Sequence, residues 1–158
     1  MAGLARPLVR HNIGNRDALL SALVERFIQK SRSSMAVMVS ALPAKNRSRT
    51  AIDWLFDPAY SDAQLVRISN SLITASAENP PLAEKMQEWL KDFITRFDGV
   101  LADDFPDANP ASVAAASAGI TGIYFNIEAL YPLGNTDALV AASKRAAIML
   151  LESLEASQ

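Results

Sequence analysis

Residues 108–127 read ANPASVAAASAGITGIYFNI, a run without one charged side chain. The run is rich in Ala, Gly and Ser and includes Asn109, Pro110, Thr121 and Asn126, so its gain on entering lipid is small. A helix uncharged all round is therefore expected to lie buried between other helices, and no membrane partner is expected. A second apolar helix follows it. The two are expected near 111–130 and 136–156, split by Pro132-Leu133-Gly134-Asn135. On the first, Ala115, Ala118, Gly119 and Gly122 form a small-residue strip; on the second, Ala138, Ala142 and Ala146 form another. A helical glycine costs about 1 kcal/mol relative to alanine, which close approach of a neighbouring helix would offset. Two arrangements do this. One is a core hairpin within the chain; the other is a two-fold four-helix interface, favoured because one small chain can hardly cover two helices this apolar. The second arrangement makes the protein a homodimer through Ala115, Gly119, Gly122, Ile123, Ile127, Ala138, Ala142, Ala146 and Met149.

Outward from this pair, helical spacing continues to the start of the chain. In 17–41, Leu19, Leu20, Leu23, Val24, Phe27, Ile28, Met35, Met38 and Val39 recur with that period; Asn15 is the candidate N-cap and Pro43 ends the run. A helix of that length spans about 37 Å. Lys45–Arg49 reads as a basic loop and Ala51–Phe56 as a short apolar segment stopped by Pro58. Ser61 or Asp62 caps the next helix, with Leu65, Ile68, Leu72 and Ile73 as its stripe to about Glu78. Pro80-Pro81 opens another, with Leu82, Met86, Trp89, Leu90, Phe93, Ile94, Phe97 and Leu101 inside. No segment alternates as a strand would. The expected fold is all-α.

Composition removes most enzyme chemistries. The 158 residues are 50% hydrophobic and 20% charged, as in one ordinary globular unit, and contain no cysteine and one histidine, His11. Thiol nucleophiles, thiolate metal sites and His-rich metal sites are thereby excluded, and a Ser-His-Asp triad is disfavoured. The six glycines do not fall into a phosphate-binding or dinucleotide pattern, so no cofactor is implied. Acid pairs such as Asp103-Asp104 and Glu84/Glu88 read as solvated faces without a nucleophile or base beside them. The protein is not expected to be an enzyme. Charge is uneven: residues 1–50 hold nine Lys/Arg against two acids, and the remainder six against fifteen. A basic end on an acidic body suggests that this end meets a polyanion. The first residues lack the apolar core of a secretory signal, so a cytoplasmic location is expected.

The segment Ala2-Gly3-Leu4-Ala5-Arg6-Pro7-Leu8-Val9-Arg10-His11-Asn12-Ile13-Gly14-Asn15-Arg16-Asp17-Ala18-Leu19-Leu20 resembles the end of the DNA-binding domain of the tetracycline-repressor (TetR) family of bacterial transcription regulators. In that family a Gly-containing turn leads into a short recognition helix, a small linker, and a long helix opening much as Asn15-Arg16-Asp17-Ala18-Leu19 does. The resemblance implies a remnant of a helix-turn-helix over 1–16 and a ligand-binding and dimerisation domain of the TetR regulatory type over 17–158. It implies that Arg6, Pro7, Leu8, Arg10 and His11 lie at the major groove, with Asn15 and Arg16 on a backbone phosphate. Two further helices precede the recognition helix in the family, so the chain is expected to be N-terminally truncated, with operator DNA as partner when the full helix-turn-helix is present. The family's effector pocket lies between the long helix and the dimerising pair. Here that region supplies Met35, Met38, Trp54, Phe56, Met86, Trp89, Phe93 and Tyr124, residues that suit an adaptable apolar cavity or simply a core. Charges along 61–105 fall on outer faces, so a small apolar effector is expected, oriented by neutral groups such as Tyr124 or Asn126. The implied function is a ligand-responsive regulator, a repressor; the alternative is a freestanding homodimeric small-molecule or protein-binding module without DNA binding.

Overall fold

Short polar side chains and prolines set the helix starts. Asp62 accepts from the backbone N–H groups of Gln64 and Leu65, both at 3.0 Å. Asn79 accepts from Leu82 N at 3.2 Å and Asn109 from Ala111 N at 2.8 Å, each followed by a proline that needs no amide partner. The computed structural model describes residues 16–134 and 136–156, with side chains from Ala18 onward. Among them are α1 (Arg16–Ala41), α2 (Arg47–Leu55), α3 (Ala63–Ser76), α4 (Pro80–Asp104), α5 (Pro110–Leu130) and α6 (Asp137–Glu155), with 3-10 turns at Pro58–Tyr60 and Tyr131–Leu133. No strand occurs among the described residues. The fold is an all-α bundle.

One boundary departs from the sequence expectation. Arg47–Arg49, read as loop, opens α2. The cap comes from a distance: Asp104, at the end of α4, accepts from the Ser48 backbone N–H at 2.8 Å and from the Ser48 hydroxyl. Asn46, just ahead of α2, takes the left-handed conformation at φ 55° without a side-chain cap of its own.

Helix α4 is the central strut, packing against α1, α2, α3 and α5, while α6 packs on α5 and α2. The interior has two apolar clusters. The larger gathers Met35, Ile52, Phe56, Phe97, Leu101, Ile120, Ile127, Leu151 and Leu154 among others; the smaller holds Val24, Phe27, Leu72, Leu82, Met86 and Trp89.

Helix α5 is not buried all round. Val113, Ala116, Ser117, Ile120, Thr121, Ile127 and Glu128 face inward, whereas Ala111, Ala115, Ala118 and Gly122 are exposed. On α6, Ala138, Ala142 and Ala146 are exposed, with Leu139 at 44% and Met149 at 67%. The two glycines therefore differ. A Cβ on Gly119 would stand 2.8 Å from Leu150 Cδ1, so Gly119 serves the contact between α5 and α6 within the chain. A Cβ on Gly122 would meet nothing within 4 Å. Of the expected interface residues, Ile127 is buried and Gly119 and Ile123 half-buried inside the subunit; Ala115, Gly122, Ala138, Ala142, Ala146 and Met149 lie on the open face. Pro110–Leu133 is long and apolar enough to span a membrane by length and composition, at a mean hydropathy of 1.3, and 39% of its apolar window is buried against the rest of the chain.

Candidate ligand cavity

A cavity of about 610 Å³ opens at the seam between the two clusters. Its size falls within the roughly 300–1,000 Å³ of small-molecule sites. Helix α1 contributes Phe27, Ser31, Met35 and Met38; α2 gives Trp54, and the following turn gives Tyr60. Leu65 and Ser69 come from α3, Trp89 and Phe93 from α4, and Tyr124, Phe125 and Glu128 from α5. The helical period explains this grouping. Trp89 and Phe93, and likewise Tyr124 and Glu128, are four residues apart and so share a face.

The aromatic walls brace one another. Trp89 stands 5.1 Å from Phe27 and 5.4 Å from Phe125; Phe93 lies 5.1 Å from Phe125 and stacks nearly parallel to Tyr124 at 6.1 Å. Tyr60, 61% exposed, stacks on Trp54 at 5.2 Å. These tilted and stacked geometries are the favourable ones for rings. The Trp89 indole N–H donates to Ser31 Oγ at 2.8 Å, so a buried polar atom is satisfied and the ring fixed.

One buried acid lines the cavity. Glu128 is 8% exposed, and its hydrogen bonds come from the Ser61 hydroxyl, 3.4 Å from each carboxylate oxygen. No ion pair reaches it among the described residues. Burial pushes its carboxyl above the usual value, with the Ser61 bond opposing. Burial, and then the nearby Glu128, keeps the Tyr124 hydroxyl protonated far into the basic range. Asp62, the other acid of the wall, is different: Lys30 and the first amides of α3 hold its carboxyl low despite some desolvation.

Six of the eight ligand-site candidates line this cavity: Met35, Met38, Trp54, Trp89, Phe93 and Tyr124. Phe56 stands behind the wall, edge-on to Tyr124 at 6.2 Å, and Met86 packs in the smaller cluster; neither lines it. Asn126 is exposed and outside the lining, and a buried acid lines the cavity at Glu128, beyond the 61–105 stretch whose charges were expected on outer faces. Sequence reasoning passed over Glu128, Tyr60, Phe125 and Ser31. A signal for the first existed, since Glu128 follows Tyr124 by one turn on the face that α5 buries.

Among the DNA-contact candidates, Arg6, Pro7, Leu8, Arg10, His11 and Asn15 lie outside the described residues. Arg16 opens α1, with its side chain also outside them. The basic surplus of residues 1–50 is partly matched within the chain. Lys30 pairs with Asp62, Arg32 with Asp92 at 3.1 Å, Arg47 with Asp103 at 3.5 Å and Arg49 with Glu152 at 3.5 Å. Comparison with protein-family models, with curated proteins and with solved structures gives no match to this chain.

Proposed function

We propose that this chain is the ligand-sensing part of a TetR-type transcriptional repressor, acting in the cytoplasm as a homodimer. The observation that carries the reading is the shared wall: α1 lines the aromatic cavity with Phe27, Ser31, Met35 and Met38, and its other end follows directly on the basic, TetR-like segment. A molecule in the cavity touches α1 and α5 together. It shifts DNA affinity to the extent that it binds two placements of α1 unequally. The open face of small residues on α5 and α6 supports a second copy as partner, since an apolar face of this kind is what isologous interfaces cover.

Base readout under this reading needs a braced recognition helix, so the test uses the chain together with any in-frame coding sequence ahead of Met1. Anisotropy titrations against the intergenic DNA flanking its own gene should give site-selective binding that weakens when the cavity is filled. Arg16→Ala should lower affinity for all sequences alike, as loss of a phosphate contact does. A second reading, a helical dimer that binds small molecules without DNA, draws on the ion pairs that already engage Lys30, Arg32, Arg47 and Arg49. Binding that never distinguishes one flanking sequence from another at physiological salt decides for it.

A further inference from the structure

We infer that the cavity takes an organic cation, an aromatic ammonium or a delocalised ring cation, whose charge rests against Glu128. The inference deepens the reading of this cavity as a ligand site and rests on it. Among the described residues, the two acids of the wall are Glu128 and Asp62, and no Lys or Arg lines it. Asp62 is already answered by Lys30 and by the N–H groups of Gln64 and Leu65. Glu128 has no such partner among the described residues. It is more than nine-tenths buried, holds two long bonds from one hydroxyl and faces the void. A buried carboxylate left this way is unfavourable until a charge of opposite sign comes beside it. The rest of the wall suits the same guest. Trp54, Tyr60, Trp89, Phe93 and Tyr124 offer ring faces and edges, and ring faces attract cations, Trp most strongly. An anion would meet the acidic wall with no base to receive it, and a neutral ring would leave Glu128 as it was.

Three probes of one ring skeleton separate these cases: N-methylacridinium, acridine and acridine-9-carboxylate, titrated calorimetrically into the whole chain at pH 8. The cation should bind at least tenfold more tightly than the neutral ring, and the anion least. Glu128→Gln should erase the cation's advantage while leaving acridine's affinity within about twofold, a change of about 0.4 kcal/mol or less. Glu88→Gln, at an exposed acid of α4 that does not line the cavity, should preserve the advantage. Equal binding of cation and neutral ring overturns the cation inference alone, as does a preference that survives Glu128→Gln. Failure of all three to bind folded protein overturns the ligand-site reading with it.

Discussion

Glu128 is a side chain whose ionised form burial disfavours and which the proposed cation would use. Its carboxyl is raised by burial, so folding favours the protonated form. For an acid shifted this way, the stabilising contribution is fully present below the ordinary value of 4.5 and is lost as pH rises through the higher folded value. The groups around it leave that sign intact: Ser61 is neutral, Tyr124 stays protonated throughout, and Asp62 is held low by Lys30. Glu128→Gln should therefore melt higher than wild type near neutrality, the two converging as pH approaches 4.5. Melting curves across pH check this; a difference independent of pH would contradict it. Gly99 makes a simpler case. It is exposed in the C-terminal part of α4, and a methyl group added there would meet nothing within 4 Å. Gly99→Ala should stabilise by about 0.5–1 kcal/mol through helix propensity alone, read from denaturant midpoints.

At the scale of elements, the helices whose signals are local were the readable ones. Helix α4 carries its own start in Asn79-Pro80-Pro81 and its own stripe from Leu82 to Leu101, and its boundaries follow. Helix α2 carries no such start, because its cap is Asp104, which only the folded chain brings to Ser48. The same division runs through the cavity. Met35, Met38, Trp89 and Phe93 were readable as inward-facing from spacing. Which inward residues line a void and which fill the core depends on how the helices cross, and that separates Phe93 from Met86 and Trp54 from Phe56. Asp104→Ala tests the distant cap. It removes two hydrogen bonds and leaves the Ser48 hydroxyl, 1% exposed, without its acceptor. A loss of about 1–3 kcal/mol is expected, with α2 amides losing hydrogen-exchange protection before those of α4. Asp104→Asn keeps an acceptor and should lose less.

For the whole molecule, the decisive helix is α5, which looks two ways. Its inner face carries Tyr124 and Glu128 into the cavity, while Ala115, Ala118 and Gly122 are exposed, as are Ala138, Ala142, Ala146 and Met149 of α6. Small side chains let two such pairs approach closely across a two-fold axis, and each contact then occurs twice. Gly122 is the position to test, since a Cβ there would meet nothing within 4 Å among the described residues. Gly122→Leu should leave the subunit folded, with unchanged helical circular dichroism, yet obstruct a close-packed partner by about 1–3 kcal/mol per contact. Light scattering at tens of micromolar should give wild type a mass near twice 17.1 kDa and the variant a mass near 17.1 kDa. A monomeric wild type would contradict the dimer. Because the same helix forms the cavity wall and the proposed interface, association and ligand binding are expected to be linked, and linkage acts equally in both directions. N-methylacridinium should then shift the dimerisation constant of wild type by the same factor that separates its affinities for dimer and monomer. A dimer indifferent to the cation would confine the ligand's effect to α1.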